Sequence, residues 1–130
     1  YPYLSICTTG THDMNPLRAW WEEDRGVTQR FYNQVLGAWG DAPYFCEPWM
    51  CEQVVAMHLK SPAMLTVLPL QDWLAMDGEL RRENPNDERI NVPANSRHYW
   101  RYRMHLSLEE LLKADNLNAM IRQKIAESGR

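Results

Sequence analysis

The chain has 130 residues, 45% of them hydrophobic, and a formal net charge of −3. This is the size of one ordinary globular domain with apolar stock for a core, and a mixed, mildly acidic charge leaves no footprint for nucleic acid or an anionic membrane surface. The longest apolar runs, Gln53 to Leu59 and Ala63 to Leu70, fall well short of the about 20 residues of a membrane span, so neither partner is expected.

The N-terminal YPYLSIC has no basic region, no long apolar segment and no methionine. It predicts neither a signal peptide nor a natural start, but a cut in front of a strand. YLSICTT is a short, partly β-branched apolar run closed by Gly10, as a buried strand opening into a loop would be. Asn15 and Pro16 then read as N-cap and first helical position of PLRAWWEED, with Gly26 placed to end that helix. VTQRFYNQVLG predicts a second short helix stopped by Gly37. After the turn-rich AWGDAPYFCE, Pro48 opens PWMCEQVVAMHLK, whose apolar positions suit a helix packed along most of its circumference.

AMLTVLPL is a second continuous apolar run of strand length, bounded by prolines and followed at once by Gln71 and Asp72. From Asp77 to Arg97 the sequence is charged and rich in Asn and Pro, which predicts a long irregular excursion. HYWRYRMHL has no clean period. Ser107 with Glu110 forms a capping box ahead of LEELLKA, and Leu117, Met120, Ile121 and Ile125 set one apolar face on a final helix.

The order strand, helices, strand, helices, with long connections, predicts an α/β fold with parallel strands. Two such strands leave unpaired edges, so the chain is expected to be a piece of a larger sheet.

In a (β/α) barrel the residues just past the C-terminal strand ends form the active face. His12-Asp13 and Gln71-Asp72 both occupy that place. Taken alone, Asp13 also fits a loop or cap acid and His12 a satisfied loop histidine. The six tryptophans are expected in the core for the most part, although sugar sites also use aromatic faces. Arg97, Arg101 and Arg103 read as a solvated basic face. The three cysteines, Cys7, Cys46 and Cys51, are odd in number and form no C-x-x-C pair, which predicts reduced thiols in a cytoplasmic protein. A zinc site from them with His12, His58, His98 or His105 has no supporting ligand spacing, so no metal or other cofactor is expected.

The segments GTHDMNPLRAWWEE, LPLQDWLAM, ERINVPAN and HYWRYR, in this order and at these separations, resemble the C-terminal part of the amylomaltases. These are the 4-alpha-glucanotransferases, or disproportionating enzymes, of glycoside hydrolase family 77. The resemblance runs from about Tyr3 to Leu112. LRAWWEED and HYWRYR are most similar to the longer subtype, known from the plant cytosol and some bacteria, with starch-binding modules ahead of its catalytic domain.

The resemblance implies that residues 1–130 are the C-terminal part of the catalytic barrel, the last two βα units of a (β/α)8 TIM barrel plus a helical tail, with no separate second domain. It implies a retaining transfer of α-1,4-glucosyl units from maltose or malto-oligosaccharides to a soluble glucan through a covalent intermediate. Asp13 matches the family's third carboxylate, the transition-state stabiliser, and His12 its neighbour. Gln71 and Asp72 match a substrate-side motif in a positioning or supporting role, and Asn91, Asn95 and Trp100 fall in or just after the substrate-side loop, with Tyr99 beside them. The nucleophile and acid/base have no counterpart in this chain, so the chain alone is expected to be inactive, to need the remainder of its parent, and to self-associate over exposed apolar edges. The family's commoner T-H-D-N-D-T reads THDMNP here, which leaves Met14 and Asn15 without a carried-over role. A non-catalytic carbohydrate-binding or oligomerisation module and an α-amylase-like hydrolase are the alternatives.

Overall fold

The computed structural model describes all residues 1–130. In chain order it contains β1 (Ile6–Cys7), α1 (Leu17–Trp21), α2 (Arg25–Gln34), α3 (Pro48–Leu59), β2 (Leu65–Thr66), α4 (Leu70–Leu74), a 3-10 turn at Pro85–Glu88, α5 (Leu108–Leu112) and α6 (Asp115–Glu127). β1 and β2 pair in parallel, Ile6 opposite Leu65 and Cys7 opposite Thr66. The ladder runs through Met64 N–H to the Tyr3 carbonyl at 2.7 Å and Val67 N–H to the Cys7 carbonyl at 2.9 Å. Both strands are shorter than the apolar runs that predict them. Each has one neighbour only, and a parallel strand is normally held between two and covered on both faces.

The apolar pattern sets the core around α3. Met50, Cys51, Val54, Val55 and Leu59 form a single stripe on that helix, buried against Leu17 and Trp21 of α1, Leu74 of α4 and Leu117 of α6. The expectation of a helix packed around most of its girth is corrected here, because Trp49 and Met57 lie exposed on its other side. α6 lies against α3 as its apolar face predicts, with Leu117 buried and Met120, Ile121 and Ile125 packed on the core. The Lys124 ammonium reaches the Glu52 carboxylate of α3 at 2.6 Å, and the Arg130 guanidinium donates to the carbonyls of Leu59, Ser61 and Ala63. The capping box at Ser107 and Glu110 is present in both directions.

Two helix boundaries differ from the sequence expectation. Asn15 makes no capping bond, and the first free N–H of α1, at Leu17, is accepted instead by Asp72 Oδ1 of α4 at 3.0 Å. Gly26 does not end α1, which stops at Trp21. It sits inside the first turn of α2, because the Asp24 carboxylate accepts from the Val27 N–H and starts a new helix there. α2 ends at Gln34 with Val35 as its cap, and Gly37, two residues further on, turns the chain at a φ of +68° that glycine adopts without strain.

The tryptophans also depart from expectation. Trp21 alone is fully buried, in edge contacts with Trp20, Phe31 and Tyr32, whereas Trp39, Trp49 and Trp100 are exposed. The three thiols are free and buried. Cys46 and Cys51 lie with their sulfurs 3.4 Å apart, and that contact together with burial pushes the Cys46 thiol far up from its ordinary range. No helix is long and apolar enough to cross a membrane.

Candidate active-site rim

Both strands feed a loop at the same end of the sheet. After β1 the chain turns at Thr8 to Gly10, where the Thr8 hydroxyl donates to the Gly10 carbonyl at 2.8 Å. It then presents His12 and Asp13, with side chains 52% and 51% exposed and His12 Nε2 3.4 Å from Asp13 Oδ2. After β2 the chain enters α4 directly, which carries Gln71 and Asp72 below that loop rather than onto the surface.

The excursion from Asp77 to Arg97 returns across this rim. Asn91 donates from Nδ2 to Asp13 Oδ1 at 2.6 Å, joining positions 78 residues apart in sequence. The Trp100 indole stands with its ring centroid 5.0 Å from that of His12, tilted at 46°. Four of the residues picked out by sequence therefore come together: His12, Asp13, Asn91 and Trp100. Asn95 does not join them. Its Oδ1 accepts from the Arg97 N–H within its own turn.

Gln71 and Asp72 are 5% and 1% exposed. Both side chains lie beneath the His12-Asp13 loop and are engaged in hydrogen bonds there. The Asp72 carboxylate holds the Thr9 hydroxyl before the loop and the Leu17 N–H after it. Burial pushes its carboxyl up, opposed by these two bonds and by the nearby His58 charge. Gln71 Nε2 donates to the Glu88 carbonyl at 3.1 Å, holding the excursion to the same base.

Two cavities flank the rim. One of about 420 Å³ opens beside Asp13, lined also by Thr9, Trp20, Phe31, His58 and Arg89; its size falls within the range of small-ligand sites. The other, about 160 Å³, lies between His12 and the pair Gln71 and Asp72, with Glu88 in its wall. No three His, Cys, Asp or Glu side chains converge as metal ligands would. What the rim offers is one exposed carboxylate, oriented by an amide, beside an imidazole and an indole. Such a group accepts hydrogen bonds from hydroxyls and stabilises positive charge developing nearby.

Comparison with known proteins settles the family. The family model described as 4-alpha-glucanotransferase, glycoside hydrolase family 77, matches residues 1–109. The chain belongs to this family. The 4-alpha-glucanotransferase DPE2 of Oryza sativa subsp. japonica is 39% identical over 130 residues, covering 100% of this chain and 14% of the relative. A 4-alpha-glucanotransferase of Chlamydia caviae is 32% identical over 126 residues, covering 93% of this chain and 22% of the relative. The fold is also that of part of an amylomaltase from Streptococcus agalactiae, solved in complex with acarbose. That likeness has a TM-score of 0.72 at 21% identity and covers 100% of this chain and 23% of the neighbour. The chain thus spans less than a quarter of the length of each of these proteins.

In this family member, sequence reasoning passed over Arg18 and Glu88. Arg18 sits in α1 and Glu88 at the end of the 3-10 turn, and they form an ion pair at 2.9 Å with side chains only 8% and 3% exposed. A charged residue on the inner side of a short helix full of tryptophan was the available signal, since such residues are seldom buried unpaired.

Proposed function

We propose that this chain is the last two βα units and helical tail of the (β/α)8 catalytic barrel of a 4-alpha-glucanotransferase. Its parent moves α-1,4-glucosyl units from maltose or malto-oligosaccharides to a soluble glucan by retaining double displacement. The observation that carries the reading is the 2.6 Å bond from Asn91 to Asp13. It draws two of the separately recognised sequence segments onto one exposed carboxylate at the end of parallel strands, where barrel enzymes keep their chemistry.

In this reading Asp13 accepts hydrogen bonds from the hydroxyls of the donor sugar next to the bond being cleaved. Those bonds strengthen as oxocarbenium character develops, and that difference lowers the barrier. His12 shares the same sugar face, Trp100 covers its apolar C–H side, and Asn91 fixes the carboxylate's direction. The nucleophile and acid/base come from the remainder of the parent chain. Three carboxylates on the segments after β2 are already committed within the fold. Asp72 and Glu88 are buried, and Asp77 is spent accepting the N–H groups of Glu79 and Leu80. A cytoplasmic setting suits three unpaired cysteines.

The test is Asp13→Asn in the full-length enzyme, assayed by glucose release from maltose. The amide keeps the shape and loses the charge, so kcat should fall by about 10²-fold or more while KM changes much less. Turnover within a few-fold of wild type would overturn the assignment.

A further inference from the structure

Arg18 and Glu88 are the only ion pair in the chain buried on both sides. A buried pair of this kind contributes little net stability over an apolar replacement, so its presence calls for another reason. Arg18 reaches beyond Glu88. Its Nη1 also donates to the Arg82 carbonyl at 2.6 Å and its Nη2 to the Glu83 carbonyl at 3.2 Å. One guanidinium therefore grips both ends of the segment 82–88, and its rigid fork is what allows three acceptors to be held at once.

The two ends of this clamp sit close to the two partners at the rim. Arg18 lies five residues after Asp13 in the sequence, on the helix that begins where the His12-Asp13 loop ends; Glu88 lies three residues before Asn91. Between Glu88 and Asn91 the chain is held twice more, by Gln71 Nε2 on the Glu88 carbonyl and by Arg89 Nε on the Asn91 carbonyl at 3.2 Å. There is no regular secondary structure from Arg89 to Asn91 to orient the amide by itself.

We infer that Arg18 and Glu88 are positioning residues for glucosyl transfer, a buried clamp that sets the Asn91 amide on the Asp13 carboxylate. The inference rests on the reading of Asp13 given above. If the clamp lets go, Asn91 leaves Asp13 without its donor, and the carboxylate loses direction while the sugar's other contacts remain. The loss then falls on kcat more than on KM.

The experiment is a double-mutant cycle in the full-length enzyme, with Arg18→Lys and Asn91→Ala singly and together, and kcat and KM measured for maltose disproportionation. Lysine keeps the charge and loses the fork. Arg18→Lys is expected to lower kcat about tenfold when Asn91 is present and less than twofold when it is absent, because residues acting through one contact are not additive. Equal losses in both backgrounds, or no loss in either, would overturn the clamp. Should Arg18→Lys fail to fold, Glu88→Gln takes its place in the same cycle. The amide keeps the shape but removes the charge that strengthens the bond from Arg18 Nη1, so a weakened clamp and the same non-additive loss with Asn91 are expected. An additive cycle alongside an inactive Asp13→Asn enzyme rejects the clamp alone, whereas an active Asp13→Asn enzyme rejects the reading beneath it.

Discussion

Glu88 carries a charge that its surroundings partly refuse. Burial pushes its carboxyl from an ordinary 4.5 up to about 7, against the opposing pull of Arg18. A raised carboxyl pKa means that the folded chain binds this proton more tightly than the unfolded chain does. The contribution to stability is therefore fully present below about pH 4.5, and it is lost as pH rises through about 7. Thermal midpoints of wild type and Glu88→Gln, taken in steps across this range, should diverge, with the wild type falling relative to the glutamine variant as pH rises. A constant difference would show that Glu88 does not titrate there. Asp72, raised by the same cause, adds a slope of the same sign that both proteins share.

Among the elements, the contact between α1 and α4 decides how the rim is built. α1 is only five residues long and has no local cap, so isolated it would be marginal. Asp72 supplies the missing acceptor from α4 and ties Thr9 to the same carboxylate. Asp72→Ala should cost about 1–3 kcal/mol, the scale of an orphaned buried donor, read as a lowered urea midpoint. Asn15→Ala, at the position that sequence rules favour as the cap, should be close to neutral, since its buried Oδ1 has no partner to lose. A larger loss for Asn15→Ala than for Asp72→Ala would reverse this account of how the helix is held.

The whole molecule exposes more than a closed domain of its mass would. Its surface is 8495 Å², against about 7100 Å² from the scaling of monomer surface with mass at 15.3 kDa. The excess includes the strand region, where Tyr3, Leu4, Ile6, Leu65 and Val67 are exposed. A sheet face of this kind is normally covered, and β1 and β2 have no further strands beside them. The 130-residue chain prepared alone should self-associate, visible as a rising sedimentation coefficient with concentration. A stable compact monomer would show that the bare face needs no cover.

Patterns that depend on neighbours in sequence are legible in the sequence itself. The Pro48 helix start, the Ser107 capping box and the apolar face of α6 each follow from a local rule of spacing or capping, and the parallel strand pair follows from the order of the elements and their long connections; all are present. So was the His12-Asp13 loop at a strand end, and the resemblance across four segments pointed to the family that the comparisons establish. Contacts between distant positions were not legible. The bond from Asn91 to Asp13, the indole of Trp100 beside His12, the capping of α1 by Asp72 and the Arg18–Glu88 pair all join residues that no period relates. The burial of Gln71 and Asp72 belongs with them, because whether a residue after a strand faces the ligand or the base of the loop depends on how α4 packs. Local chemistry chooses the elements and their ends; tertiary packing decides which polar groups stay exposed for work and which are used up in holding them there.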